Sequence, residues 1–157
     1  MGILRTDRVS GLGGANAISG SVFFPHDGTA TTTSGVLQVQ NENDALTFGT
    51  GDWTIEFWLK RTGAYDDYDV IIGKGTSNTY EWFVEGFADG SVKFLYSNNG
   101  STTWSGTHTI ISSQALERWY HIAIVRNGSG ANNFKMYVDG SQTFQTTALI
   151  FTLEQLI

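Results

Sequence analysis

The segment Trp53–Lys60 constrains the fold more than any other part of the chain. Its odd positions, Trp53, Ile55, Phe57 and Leu59, are all apolar, and its even positions are mostly polar. Side chains on a β-strand alternate between two faces, so a strand would bury the odd positions and expose the even ones. On a helix the same four side chains would scatter around the circumference. The segment therefore predicts a central strand of an antiparallel sheet, with Ile55 and Phe57 deeply buried.

The composition indicates a single all-β domain. The 157 residues suffice for one domain with a substantial core, and they include 19 glycines, one proline and 13% aromatic residues. Turn signals recur between short amphipathic segments, and no amphipathic helix is present to cover a sheet. We therefore predict a two-sheet antiparallel jelly-roll sandwich over residues 20–157. Residues 1–19 are glycine-rich and show no periodicity, which predicts an extended N-terminal arm, with a disordered leader as the alternative.

Further strands are predicted where apolar and polar residues alternate between turns. They fall at residues 21–24, 36–40, 70–72, 80–87, 92–96, 110–111, 119–126, 134–138 and 142–146, and residues 45–48 lead into the central strand. In the strand at residues 80–87, Tyr80, Trp82 and Val84 are expected on one face. Asp89-Gly90 and Asp139-Gly140 are typical of β-hairpin turns. Residues 114–117 are predicted to form one helical turn.

The charge pattern argues against several classes of partner. The net charge is -6, and the nine Lys and Arg residues are spread along the chain. Because phosphate binding needs clustered Lys and Arg, neither nucleic acid nor an anionic membrane surface is expected as a partner. The absence of cysteine excludes disulfides and thiolate metal sites. The first residues lack the apolar run of a secretory signal, so we expect synthesis in a cytoplasm.

Three blocks of the sequence resemble the concanavalin A-like lectin/glucanase superfamily in its laminin G-like form. Residues 24–28 look like that family's first strand and turn, and residues 48–60 look like its most recognisable segment. Residues 119–126 followed by residues 136–140 are similar to its late hairpin. The resemblance implies a concanavalin A-like sandwich. It leaves the function open, because the family includes binders, enzymes and spacers.

A second resemblance concerns the N-terminal residues. Residues 4–18 look like the arm of virion structural proteins of tailed bacteriophages. The family normally continues past the Asp139-Gly140 hairpin with further strands, and residues 152–157 do not match that ending. We therefore expect that the arm or a neighbouring copy completes the sandwich, in a homo-oligomer for which a trimer is the favoured state.

The loop at residues 65–69 is the strongest candidate for a ligand site. Its clustered carboxylates, with Asp66 and Asp67 as the candidate ligands beside Asp69, could hold Ca²⁺, and its tyrosines, Tyr65 and Tyr68, could stack on sugar rings. Trp82 and Trp104 are further candidates for stacking. The alternative is that the loop is ordinary and the tryptophans belong to the core, since no calcium-loop spacing is met. No metal site is assigned.

No group of residues indicates catalysis. Glycanases on this fold use two nearby carboxylates, but Glu81 and Glu85 lie four residues apart on one strand, more than about 10 Å in extended chain. Both are expected to be solvated glutamates of an outer face, and Glu56 has no acidic neighbour in sequence. The histidines are too scattered for a zinc site, and His121 is expected to pack within its strand.

Two hypotheses follow from these observations. The first is a non-enzymatic bacteriophage virion protein, a capsid decoration or fibre component that assembles with other virion proteins. The second is a carbohydrate-binding adhesion module that recognises host-surface glycans through its rim loops. A divergent glucanase is the third reading, and the carboxylate spacing argues against it.

Overall fold

The computed structural model describes Phe48, residues 51–76 and residues 79–147. These residues form eight β-strands and no helix, arranged as two antiparallel four-stranded sheets, which confirms the all-β prediction. They include no helix long and apolar enough to cross a membrane. The predicted arm at residues 1–19, the strands predicted at residues 21–24 and 36–40, and the chain end at residues 152–157 lie outside the described residues.

The two sheets take their strands from different parts of the chain. The strands are β1 (Trp53–Lys60), β2 (Asp69–Thr76), β3 (Thr79–Gly86), β4 (Val92–Tyr96), β5 (Gly106–Ile111), β6 (Trp119–Arg126), β7 (Phe134–Val138) and β8 (Ser141–Thr146). The first sheet has the order β1-β6-β7-β8, and the second has the order β2-β3-β4-β5. The second sheet is therefore a simple meander, whereas the first contains the crossover from β1 to β6.

Strand β1 has the bounds that its alternation predicts. It pairs with β6 over its whole length, from Trp53 opposite Arg126 to Lys60 opposite Trp119. Within the described residues β6 is its one partner, so β1 lies at an end of this part of the sheet rather than at its centre. Ile55 is buried as expected, whereas Phe57 is only partly buried because it packs at the margin of the core.

The core lies between the two sheets and uses the inward face of each. Its fully buried side chains include Ile122, Ile124, Phe134 and Met136 of the first sheet and Val84, Val92 and Phe94 of the second. The rings of Phe94 and Phe134 approach to 5.7 Å between centroids across the interface. This inter-sheet packing makes the fold a sandwich.

Two local predictions are wrong. The strand expected at residues 70–72 continues through Gly73 and Gly75 to Thr76, because these glycines accommodate a ring from the neighbouring strand. Residues 114–117 form no helical turn. Gln114 is instead buried and anchored by distant partners, and Glu117 has a φ of 59°, outside the right-handed helical region.

The hairpin between β7 and β8 forms at the dipeptide that predicts it. Asp139 and Gly140 both have positive φ, 50° and 77°, and the flanking residues Val138 and Ser141 pair. This is the backbone of a type I′ turn, which matches the twist of the two strands. Asp139 also accepts a hydrogen bond of 2.9 Å from the backbone N–H of His121, so its side chain fixes the hairpin against β6.

The outer face of the first sheet carries exposed aromatic side chains. Trp58 is 64% exposed and Trp119 is 46% exposed. His121 faces outward between them, where its Nε2 lies 2.8 Å from Glu56 Oε1 and its ring lies 5.0 Å from that of Trp58. The histidine is therefore packed within its strand as expected, but against partners on the outer face.

His108 makes the stability of the sandwich dependent on pH. Its ring lies 4.4 Å from that of Phe144, burial lowers its pKa from 6.5, and its Nε2 has no hydrogen-bond partner among the described residues. The unfolded chain therefore binds a proton on this group more readily than the folded chain does. Stability should be lost as the pH falls below about 6.5, the ordinary histidine value.

We expect His108→Leu to lose less of its free energy of unfolding than the wild type between about pH 7 and pH 5. The measurement is a series of denaturant melts at stepped pH. Equal losses in the two proteins would show that protonation of His108 does not oppose folding.

Candidate functional site

A groove lies on the outer face of the second sheet. It has a volume of about 490 Å³ and is lined by Tyr68, Val70, Tyr80, Phe83, Glu85, Thr102 and Trp104. We call these seven residues the aromatic groove. Strands β2 and β3 supply its floor, and the loops before β2 and between β4 and β5 supply Tyr68 and Trp104. A concave site that combines several rings with a few polar groups is typical of small-ligand binding.

Three rings of the aromatic groove pack on one another. Tyr80 and Trp104 are stacked with their centroids 4.6 Å apart and their planes 23° apart. Phe83 meets Trp104 edge to face at 5.2 Å and lies 5.7 Å from Tyr80. Each ring thus has neighbours that restrict its motion, so a ligand would meet a surface that is already ordered.

Tyr80 does not lie on the face of β3 that the alternation predicts. The alternation of β3 places it with the buried residues Trp82 and Val84, yet it packs on Trp104 outside the core. The register of β2 against β3 is irregular between Lys74 and Gly75, next to the residue that pairs with Tyr80. Such irregularities change the direction of nearby side chains, which accounts for the position of Tyr80.

Two glycines of β2 leave the space that the Phe83 ring occupies. A Cβ atom at Gly73 would lie 2.1 Å from Cδ1 of Phe83, and one at Gly75 would lie 2.9 Å from its Cζ. Real Cβ atoms do not approach so closely, so only glycine lets the ring lie flat across the neighbouring strand. The Gly-Lys-Gly sequence therefore leaves space for a residue of the groove and does not end the strand.

Glu85 is the carboxylic acid among the groove residues, and it is not solvated as the sequence suggested. It is 4% exposed, because its neighbours in the sheet register, Val70 on β2 and Lys93 on β4, flank it. Among the described residues its Oε2 finds no hydrogen-bond partner. Burial raises the pKa of Glu85, since a charged carboxylate loses its hydration there.

Lys93 does not neutralise Glu85 by direct contact. Its Nζ instead lies 3.9 Å from the centroid of the Phe87 ring, in a cation–π contact. Phe87 in turn packs edge to face on Tyr68 at 5.5 Å. The ammonium group is thus held beside the groove by an aromatic ring.

The four candidate residues of the loop at residues 65–69 have different environments. Tyr65 is turned inward, where its hydroxyl donates a 2.7 Å hydrogen bond to Gln114 Oε1, and burial raises its pKa to about 12. Asp66 donates its backbone N–H to Asp69 Oδ2 at 2.8 Å, and Asp67 Oδ1 accepts the backbone N–H of Ala88 at 3.1 Å. Tyr68 is 68% exposed and lines the groove.

The other two candidates, Trp82 and Trp104, lie on opposite sides of the second sheet. Trp82 points inward, is 5% exposed and stacks on Phe48 at 5.0 Å, so it belongs to the core. Trp104 lines the aromatic groove. Of the six predicted residues the groove therefore contains Tyr68 and Trp104. In the part of the chain that the structure describes, no three His, Asp or Glu residues cluster as a metal site would require.

Sequence reasoning missed most of the groove. The alternation places Tyr80, Phe83 and Glu85 on a strand, and it gives no reason to expect binding at Val70 or Thr102. One signal was present in the sequence: Phe83 places a large apolar side chain on the face of β3 that was expected to be polar. An apolar residue on an otherwise polar face is a sign of either packing or binding.

The other two glutamates of the catalytic hypothesis, Glu81 and Glu56, each contact a basic side chain. Glu81 Oε2 lies 2.7 Å from Lys74 Nζ, and both side chains are largely covered. Glu56 pairs with His121 on the outer face of the first sheet, away from the groove. In the described residues, therefore, the groove presents one carboxyl group rather than the two that glycoside hydrolysis uses.

Comparison with known families agrees with the architecture. A family model described as the concanavalin A-like lectin/glucanases superfamily matches residues 30–153, and the chain belongs to this family. No curated protein matches the chain in a sequence comparison. Laminin G-like domains on this fold are generally non-catalytic modules, so the family and the structure together fit a sugar-binding or structural module.

The burial of Glu85 predicts that replacing it will stabilise the protein. A neutral amide costs less to bury than a carboxylate, so Glu85→Gln should raise the free energy of unfolding at neutral pH by on the order of 1 kcal/mol. Because the raised pKa means that the folded state binds the proton more tightly, this gain should shrink as the pH falls toward about 4.5, the ordinary value, and should be absent below it. Denaturant melts at several pH values measure both effects.

Glu81→Gln is the matched control on the same strand. Glu81 has a cationic partner, so the same chemical change should lower stability there. A loss of stability in both variants would show that Glu85 also has a stabilising partner.

Proposed function

We propose that this protein is a glycan-binding module that holds sugar rings in the aromatic groove. The observation that carries the proposal is the stacked pair of Tyr80 and Trp104 in a concave site that also contains a buried carboxyl group, that of Glu85. Sugar rings present C–H faces that pack on aromatic rings, and their hydroxyl groups donate hydrogen bonds to carboxylates. The groove offers both kinds of contact within one site.

We further propose that the module binds without catalysis. Glycoside hydrolysis uses two carboxyl groups on opposite sides of the scissile bond. Glu85 is the carboxylic acid that lines the groove, and its neighbour along β3, Glu81, is engaged by Lys74. The proposal invokes no metal or other cofactor.

The aromatic stack can be tested by substitution and a glycan array. Trp104→Ala should weaken binding to any recognised glycan by about tenfold or more, because the truncation removes a stacking surface and releases Tyr80. Trp58→Ala is the matched control, since it makes the same truncation at an outward-facing tryptophan of the other sheet. Binding that survives Trp104→Ala and is lost in Trp58→Ala would show that the site lies on the first sheet and not in the aromatic groove.

The virion hypothesis is the second candidate, and it rests on a different part of the chain. Residues 4–18 resemble the arms of tailed-bacteriophage virion proteins. We propose on this basis that the module belongs to a virion, as a capsid decoration or fibre component made in the host cytoplasm. The arm would join it to other virion proteins and to its own copies, most simply as a trimer. Glycan binding would then serve attachment to a cell surface.

Deletion of residues 1–19 tests this second candidate. The truncated protein should keep its thermal transition, because the sequence predicts that the sandwich begins at residue 20, but it should form smaller assemblies. Sedimentation velocity measures the assembly, with the full chain as the control. If the truncated protein still forms full-size oligomers, the arm has no role in assembly.

A further inference from the structure

The aromatic groove has an unbalanced charge. Glu85 is more than nine-tenths buried, and no other charged side chain lines the groove as the structure describes it. The cationic groups of the strands on either side are engaged elsewhere: Lys74 with Glu81, and Lys93 with the Phe87 ring. A buried charge without a partner destabilises a protein, so an arrangement of this kind is expected where a ligand supplies the missing charge.

The rings around Glu85 are suited to a cation. Tyr68, Tyr80 and Trp104 line the groove. An ammonium group gains from contact with the face of an aromatic ring, most of all where water is excluded. Lys93 on Phe87 is an example of this contact on the same sheet. A neutral hydroxyl group could donate a hydrogen bond to Glu85 but would leave its charge uncompensated.

We propose that the groove selects glycans that carry an unsubstituted primary amine, that is, amino sugars without N-acetylation. The ammonium group would pair with the carboxylate of Glu85 while the sugar ring packs on Tyr80 and Trp104. This inference rests on the proposed glycan-binding function and adds its ligand class. The net charge of -6 favours the approach of such a ligand at long range.

The test compares two oligosaccharides that differ only at nitrogen. Glucosamine oligomers and N-acetylglucosamine oligomers of equal length are titrated calorimetrically into the full chain at about pH 6, where the amine is protonated. The amine form should bind about tenfold more tightly, as expected for one charge-assisted hydrogen bond. In Glu85→Gln this ratio should fall to near one.

Glu56→Gln is the control variant for the amine preference. It removes a carboxylate of the opposite sheet's outer face and should keep the tenfold ratio. Added salt should reduce the ratio in the wild type, because the discriminating contact is between charges.

The outcomes separate this inference from the function on which it rests. Equal binding of the two oligomers by the wild type would overturn the amine preference and leave the glycan-binding proposal standing. A preference that persists in Glu85→Gln would also overturn it, because the amine would then bind elsewhere. Binding of neither oligomer, together with a silent glycan array, would overturn both proposals.

Discussion

The packing of Phe94 against Phe134 is the contact on which the rest of the structure depends. Both side chains are fully buried, and each belongs to an inner strand of its sheet, β4 and β7. Because side chains alternate along a strand, fixing these two rings inward fixes which residues face the core wherever the pairing of the strands is regular. It also determines which residues face outward, and therefore which residues a ligand could contact. The position of the aromatic groove therefore follows from the register of the strands that form the core.

The outer face of the second sheet departs from the usual polar surface in a coordinated way. Phe83 lies over Gly73 and Gly75, and the loop residue Trp104 then covers the exposed edge of that ring. Each part depends on another: without the glycines the ring could not lie flat, and without the ring Trp104 would lose a packing partner. Glu85 is enclosed in the same region, which explains why its solvation is lost although it points away from the core. Cross-strand packing of this kind couples the shape of the groove to the stability of the sheet.

The sequence predicts those elements whose cause is local. Strands β1 and β6 and the turn at Asp139-Gly140 follow from alternation and turn chemistry, which need no distant partner. The errors arise where the cause is long-range. Gln114 is held by Tyr65, 49 residues away in sequence, so its segment could not be recognised as non-helical. The groove shows the same division, because Tyr68 and Trp104 could be proposed as stacking residues from their residue types, whereas the burial of Glu85 depends on two neighbouring strands.

The outer faces of both sheets carry aromatic side chains, but they differ in whether their polar groups already have partners. This difference favours the aromatic groove as the binding site. On the first sheet, Glu56 and His121 pair with each other beside Trp58, so the polar groups of that surface are already satisfied. In the aromatic groove, the Oε2 atom of Glu85 lacks any partner among the described residues, and the rings form walls around it. A surface whose polar groups are paired gains little from a ligand, because each new hydrogen bond must replace an existing one. A buried carboxylate that has no partner gains the full value of the contact, and its cost to folding is the reason to expect that a ligand compensates it.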